Sequence, residues 1–206
     1  MQIILIRHGQ TEWNRVERFR GRADVALNQM GLNQAEATGR RVAAEWKLSA
    51  VYSSPLSRAV KTAQAVAKHF NLPVHTHNGL LDIDYGEWQG LTPAEVGRRW
   101  PEALRDWFNS PHIARIPGGE SLQDLRERGM EMIHDLTKRH VSESIALVGH
   151  TVINRVLLLG MLGLGNERFW HLKQDTCAIN VIECEARDFT IVSLNDTCHL
   201  RELTTG

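Results

Sequence analysis

Ile3-Ile4-Leu5-Ile6, followed directly by Arg7-His8-Gly9, is the stretch of sequence that decides the fold. The apolar run is continuous and rich in β-branched residues, which is typical of a strand buried on both faces of a parallel sheet. A strand with this ending directs a cation and an imidazole to the carboxyl edge of the sheet, where open α/β folds bind ligands. Arginine offers a planar fork to phosphate oxygens, and glycine lets the backbone approach a bound anion. We therefore expect chemistry at this edge.

The rest of the chain alternates strand and helix patterns. After residues 2–7, strands are predicted at residues 49–54, 72–76, 144–148, 178–185 and 189–194. Helices are predicted at residues 31–47, 55–69, 92–100, 102–108, 121–140 and 152–162. This order predicts a three-layer α/β/α fold with a mostly parallel central sheet covered on both faces. Residues 81–119 break the alternation, so we expect one domain over residues 1–206 with a small cap inserted at about 81–119 over the strand ends.

Composition limits the class of partner. The 206 residues contain 24 Lys plus Arg and 24 Asp plus Glu, so the formal net charge is zero, and nothing favours a nucleic acid or an anionic membrane surface as a partner. No apolar stretch approaches the roughly 20 residues of a membrane helix, and the run after Met1 is too short for a signal peptide. We therefore expect a cytoplasmic protein without nucleic-acid or membrane partners. A homodimer is compatible with the sequence.

Five further motifs follow Arg7-His8-Gly9 in order along the chain. They are Gln10-Thr11-Glu12-Trp13-Asn14, Arg20-Gly21, the segment at residues 28–35, Ser53-Ser54-Pro55-Leu56-Ser57-Arg58-Ala59 and Gly149-His150-Thr151. In this order the chain resembles the histidine phosphatase superfamily, in its phosphoglycerate mutase-like branch, from Arg7 to about His199. The resemblance implies the fold of that family and a small phosphomonoester as the substrate.

The resemblance also implies roles for the matching residues. The histidine of Arg-His-Gly attacks phosphorus in this family, so His8 is the expected nucleophile and a phosphohistidine is the expected intermediate. Nearby cations should keep its imidazole neutral, with a free lone pair. A catalytic role is expected for His150 as well. Phosphate or substrate contacts are expected from Arg7, Asn14, Gly21, Arg58 and Thr151.

The general acid is where this chain departs from the family pattern. Relatives usually carry glutamate in a stretch of the form Leu-x-Glu-Ile-Asp-Phe-Gly-x-Trp-x-Gly, whereas residues 80–90 here read Leu-Leu-Asp-Ile-Asp-Tyr-Gly-Glu-Trp-Gln-Gly. The match places Asp82 at the acid position. Because aspartate is one methylene shorter, its reach to the leaving oxygen falls by roughly 1 to 1.5 Å, and a proton donor must lie within hydrogen-bond distance. Asp84 and Glu87 are the alternative acids.

The substrate is less defined than the reaction. Mutases of this family are generally longer around the pocket, which favours hydrolysis, and phosphoglycerate mutase activity is the alternative. The tail at residues 195–200, with Gly149-His150-Thr151-Val152 and Pro111-His112, is similar to the metal-independent phosphoserine phosphatases. That similarity implies that His199 contacts the charged amino-acid end of phosphoserine. However, Tyr85 occupies a position where those relatives resemble one another in having histidine. An α-ribazole phosphate and a sugar phosphate are therefore alternative substrates.

No metal ion or other cofactor is expected. His75-Thr76-His77 places two imidazoles on one strand face, but no third ligand is evident in the sequence. A second class of function is open, because the superfamily includes binding and regulatory modules and the aspartate at position 82 could weaken catalysis. The presence of His8 favours an enzyme, since a binding module has no need of a nucleophile.

Overall fold

The computed structural model describes residues 1–186 and 188–203. Within them six strands form one sheet: β1 (Gln2–Arg7), β2 (Ala50–Ser53), β3 (Val74–Thr76), β4 (Ser144–Gly149), β5 (Ile179–Glu185) and β6 (Asp188–Asp196). Their order is β3-β2-β4-β1-β5-β6. The pairs β3-β2, β2-β4 and β4-β1 are parallel, whereas β5 runs antiparallel to both β1 and β6. The sheet is therefore mixed and mostly parallel, which confirms the predicted fold class.

Helices cover both faces of this sheet. They are α1 (Glu12–Arg15), α2 (Gln29–Glu45), α3 (Ser57–Ala67), α4 (Pro93–Arg99), α5 (Pro101–Asn109), α6 (Leu122–Arg139) and α7 (Thr151–Met161). Ile3 and Leu5 of β1 pack into the apolar cluster of α6 and α7, whereas Ile4 and Ile6 pack into the cluster of α2 and α3. Alternate residues of one strand thus bury opposite faces. Over the described residues, no helix combines the length and apolar character needed to cross a membrane.

Capping residues set most helix boundaries. Helix α2 begins two residues before its predicted start, because the Asn28 side chain accepts a hydrogen bond from the Gly31 amide (2.8 Å). Helices α4 and α6 begin one residue after their predicted starts, with capping boxes at Thr92 and Ser121. Helix α3 begins two residues later than predicted, and α1 lies in a segment that was predicted to be loop.

Parallel pairing aligns the carboxyl ends of the three central strands. Arg7 at the end of β1 pairs with Gly149 at the end of β4, and Ser53 ends β2 beside them. The residues that follow these strands therefore meet at one edge of the sheet. His8 follows β1, and His150 follows β4 as the N-cap of α7.

An aromatic cluster lies at the same edge. Trp107 of α5 packs its ring against Phe169 (5.5 Å between centroids) and Trp170 (5.8 Å), and its carbonyl oxygen accepts a hydrogen bond from Trp170 Nε1 (2.9 Å). These three rings, with Tyr85 and Phe108, are called the aromatic roof below. The roof comes from residues 81–119 and from the 3₁₀ helix Asn166–His171. The sequence indicated only the first of these segments.

Candidate active site

A cavity of about 440 Å³ opens where β1 and β4 end, beneath the aromatic roof. Four of the residues singled out from the sequence line it: Arg7, Asn14, Asp82 and Thr151. Three more are buried close to one another at the same strand ends: His8, Arg58 and His150. The fold thus brings together side chains that are up to 144 positions apart, from Arg7 to Thr151.

His8 is buried and electrically neutral. Its Nδ1–H donates to the carbonyl oxygen of Gly9 (2.6 Å), which leaves the free lone pair on Nε2. Burial lowers the pKa of His8 well below its usual value, and the nearby His150 and Arg58 lower it further. A neutral imidazole held in one tautomer, with its lone pair available, is the form that can act as a nucleophile.

His150 is held in the opposite tautomer. Arg58 Nε donates to His150 Nδ1 (3.2 Å), so the ring proton of His150 is on Nε2. That Nε2 is buried without a hydrogen-bond partner. The rings of His8 and His150 lie 5.0 Å apart at 60°. Burial, and then the charge of Arg58, hold the pKa of His150 well below its usual value, so both rings are neutral.

Arg58 is itself fully buried and held by backbone. Its two terminal nitrogens donate to the carbonyl oxygens of Ala23 (2.7 Å) and Gly21 (2.8 Å). Burial lowers the pKa of Arg58 to about 10, so the side chain remains charged at neutral pH. Gly21 has φ +48°, and a Cβ there would lie 2.7 Å from the carbonyl oxygen of Ile83. The Gly21 backbone thus contacts Arg58 directly, and the predicted contact of Gly21 with phosphate stays a prediction.

Two further arginines face the cavity. Arg7 donates to the carbonyl oxygen of Gln174 (2.6 Å), and Arg20 donates to that of Trp13 (3.0 Å). The Nε atoms of both arginines are buried without partners. Burial and the charge of Arg20 lower the pKa of Arg7 to about 9. Buried donors and positive charge without a partner mark a site for an anion. Within residues 1–186 and 188–203, no three His, Cys, Asp or Glu side chains form a group that could hold a metal ion.

Arg20 had no assigned role in the sequence, although the Arg20-Gly21 pair was part of the motif pattern. Asn14 and Thr151 add neutral donors to the cavity. The Asn14 side-chain oxygen accepts from the amide and the hydroxyl of Thr11 (both 2.9 Å), which leaves its NH₂ group for a ligand. The hydroxyl oxygen of Thr151 is buried without a partner.

Asp82 is the carboxyl group closest in character to a general acid. It is 4% exposed, and its Oδ1 is buried without a hydrogen-bond partner. Burial raises its pKa, although the charges of Arg58 and Arg20 oppose the shift. The two alternative acids do not line the cavity: Asp84 accepts from the Gly86 amide (2.9 Å), and Glu87 is exposed.

Two charged side chains hold the backbone around Asp82 in place by hydrogen bonds. Neither was among the site residues predicted from the sequence. Arg128 donates to the carbonyl oxygens of Leu81 (2.9 Å) and Asp82 (3.0 Å). Glu120 accepts from Arg128 (3.0 Å) and from Arg22 (2.8 Å), and also from the Asp84 amide (3.0 Å). Of these two residues, only Glu120 lies in a segment that the sequence could have indicated. That segment, Gly118-Gly119-Glu120-Ser121, resembles one that relatives place near the pocket.

His199 does not line the cavity in this structure, and its contact with the substrate stays a prediction. His199 Nε2 donates to the Thr38 hydroxyl (3.0 Å), which itself donates to the carbonyl oxygen of Gln34 in α2 (2.8 Å). The 3₁₀ helix Cys198–Leu203 packs on α2 through the buried Leu200.

Comparison with known proteins gives a consistent set of relatives. Residues 3–197 match the model of the histidine phosphatase superfamily (branch 1). Phosphoserine phosphatase 1 of Hydrogenobacter thermophilus is 36% identical over 202 residues, which are 98% of this chain and 95% of that protein. The metal-independent phosphoserine phosphatase of Arabidopsis thaliana is 34% identical over 201 residues, 97% of this chain and 83% of that protein.

A solved structure gives the same result at the level of the fold. A phosphoserine phosphatase mutant from Entamoeba histolytica, in complex with phosphoserine, is similar to this chain with a TM-score of 0.87 and 26% identity. The match covers 97% of this chain and 98% of that one.

Proposed function

Because this chain belongs to branch 1 of the histidine phosphatase superfamily, we propose that it hydrolyses phosphoserine through a phosphohistidine formed on His8. The protein is a phosphatase that acts on phosphomonoesters. Phosphoserine is the favoured substrate because both relatives described above are phosphoserine phosphatases, and the similar solved structure holds phosphoserine.

The opposite tautomers of the two buried histidines are the observation that carries this proposal. His8 presents a lone pair at Nε2, whereas His150 presents an N–H at the same ring position. With the rings 5.0 Å apart, one imidazole can attack phosphorus while the other donates to a phosphate oxygen. Burial keeps both rings neutral, so neither role depends on a proton that must first be removed.

In the first half of the reaction, His8 Nε2 forms a bond to phosphorus and the bond from phosphorus to the serine oxygen breaks. Asp82 in its protonated form, which burial favours by raising its pKa, gives its proton to that oxygen. Serine then leaves as a neutral alcohol. In the second half, the Asp82 carboxylate takes a proton from water while the water oxygen attacks phosphorus. The phosphorus–nitrogen bond breaks, and phosphate leaves with His8 and protonated Asp82 restored.

The arginines stabilise the phosphoryl group as it transfers. Arg7, Arg20 and Arg58 are each held by backbone carbonyl oxygens, so their positive charge is in place before the substrate binds. Preorganised donors of this kind stabilise the charge on the equatorial oxygens without a cost of reorientation during the reaction. The unpartnered Nε2–H of His150 adds a neutral donor to the same group.

The test is to trap the intermediate. Enzyme mixed with phosphoserine and quenched in alkaline detergent should carry a phosphoryl group on His8, identified by mass spectrometry of the peptides. The matched control is His134→Ala, which removes an exposed histidine on α6 and should leave the trapped species unchanged. The His8→Ala variant should trap none. A phosphoryl group on any other residue, or a wild-type enzyme inactive on phosphoserine, would overturn the proposal.

A further inference from the structure

Arg155 is a cavity-lining arginine with no role in the mechanism above. It lies on α7, one helical turn after Thr151. Its guanidinium group lies over the rings of Phe169 (5.0 Å to the centroid) and Trp170 (5.1 Å) in the aromatic roof. The Nε atom is buried without a hydrogen-bond partner. The two rings therefore orient this cation before any ligand binds.

Arg155 also has no carboxylate partner among the residues that the structure describes. The carboxylate of Asp175 at the cavity mouth is already engaged by Lys173 (2.9 Å) and by the Asn195 side chain (2.9 Å). Burial lowers the pKa of Arg155, because the charged form loses hydration. The charge of Asp175 partly offsets this effect on the pKa, but no described carboxylate lies within salt-bridge distance of Arg155. An anionic ligand group in direct contact would relieve the remaining cost of burial.

The phosphate end of the cavity has its own donors. Arg7, Arg58 and His150 serve the transferring phosphoryl group, next to the nucleophile His8. Arg155 lines the same cavity as Arg7, but it packs against Phe169 and Trp170 of the aromatic roof. It is therefore placed for the alcohol half of the substrate.

We propose that Arg155 is the specificity-determining residue for the alcohol half of the substrate and that it binds a carboxylate there. The preferred substrates are then phosphorylated hydroxy acids and hydroxyamino acids rather than phosphorylated amines. This inference rests on the proposed function, because phosphoserine carries such a carboxylate. The planar fork of arginine suits a carboxylate, which can accept two parallel hydrogen bonds from it.

Four substrates separate the carboxylate from the rest of the molecule. Phosphoserine carries a carboxylate and an ammonium group, 3-phosphoglycerate keeps the carboxylate, phosphoethanolamine keeps the ammonium group, and p-nitrophenyl phosphate has neither. We expect wild-type kcat/KM to favour the two carboxylates over phosphoethanolamine by roughly 10- to 100-fold, as for a charge-assisted hydrogen bond. In Arg155→Met this preference should disappear, mainly because the values for the two carboxylates fall. Arg155→Lys, which keeps the charge and loses the fork, should retain part of it.

Two control variants test whether the effect belongs to Arg155. Arg99→Met removes an arginine that lies over Trp100 (5.9 Å) outside the cavity lining, and it should keep the full preference. Lys173→Met removes the exposed cation at the cavity mouth, and equal loss of the preference there would overturn the assignment. Equal slowing of all four substrates by both Arg155 variants would overturn it too. A wild-type enzyme that hydrolyses p-nitrophenyl phosphate without favouring the two carboxylate substrates would also overturn the assignment. If none of the four substrates is hydrolysed, the proposed function itself is overturned.

Discussion

Replacement of Asp82 by asparagine tests the general acid directly. The side chain is 4% exposed and its Oδ1 has no partner, so asparagine fits the same space but cannot give a proton to the leaving oxygen. We expect turnover of phosphoserine to fall by about 100- to 10,000-fold, which is the usual contribution of a general acid. At about 1.36 kcal/mol for each factor of ten, this adds about 2.7 to 5.4 kcal/mol to the barrier.

The leaving group separates proton donation from damage to the site. A nitrophenol departs as an anion and needs little protonation, so p-nitrophenyl phosphate should slow by less than roughly tenfold in the same variant. The assay is steady-state hydrolysis of both substrates by the same preparation, with the ratio of the two effects as the measured quantity. Equal slowing of both substrates would refute the reasoning and give Asp82 a positioning role.

The pH dependence gives a second measurement on the same variant. Asp82 must be protonated to act, and burial raises its pKa, so kcat/KM for phosphoserine should fall as pH rises through that raised pKa. In Asp82→Asn this decline should be absent. Glu87→Gln is the matched control, because Glu87 is an exposed carboxyl group in the same loop, and it should change neither the leaving-group ratio nor the pH profile. Asp82→Glu restores the methylene that relatives carry and tests whether reach limits the rate.

Three other outcomes are expected. His8→Ala should abolish turnover while thermal unfolding stays near that of the wild type, because His8 lies at a strand end; more than a few per cent residual turnover would exclude a covalent mechanism at His8. A chelator should leave activity unchanged, because arginines supply the positive charge at the phosphate; a loss that a divalent ion restores would contradict this. Glu120→Gln should lower the free energy of unfolding in urea by about 1 to 3 kcal/mol, since it breaks the contacts with Arg22 and Arg128. Burial alone would raise the pKa of Glu120, but the hydrogen bond from Arg128 makes the net shift downward. The difference in unfolding free energy between wild type and variant should therefore be present above the unfolded-state pKa and shrink as pH falls through the folded-state pKa.

Local pattern was sufficient for the six strands and for every α-helix except α1 among the described residues, and for the position of His8. A continuous apolar run makes β1, and the chain order places His8 directly at its end. Helices α4 and α6 begin within one residue of their predicted starts. Their caps at Thr92 and Ser121 involve residues only three positions apart in sequence, so a local pattern contains them. Asp82 was predicted as the acid by resemblance to a motif. The direction of β5 was not predicted, because strand pairing depends on contacts that local periodicity does not contain.

The chemistry of the site depends on contacts between distant parts of the chain. The tautomer of His150 follows from a hydrogen bond to Arg58, which is 92 positions away. Arg20 and Arg155 become candidates only because their buried Nε atoms lack partners in the folded protein. His199 is hydrogen-bonded to Thr38 of α2 and does not line the cavity, a placement that the motif match does not contain. Sequence therefore determined which residues could react, and three-dimensional packing determined their protonation, their partners and which of them meet.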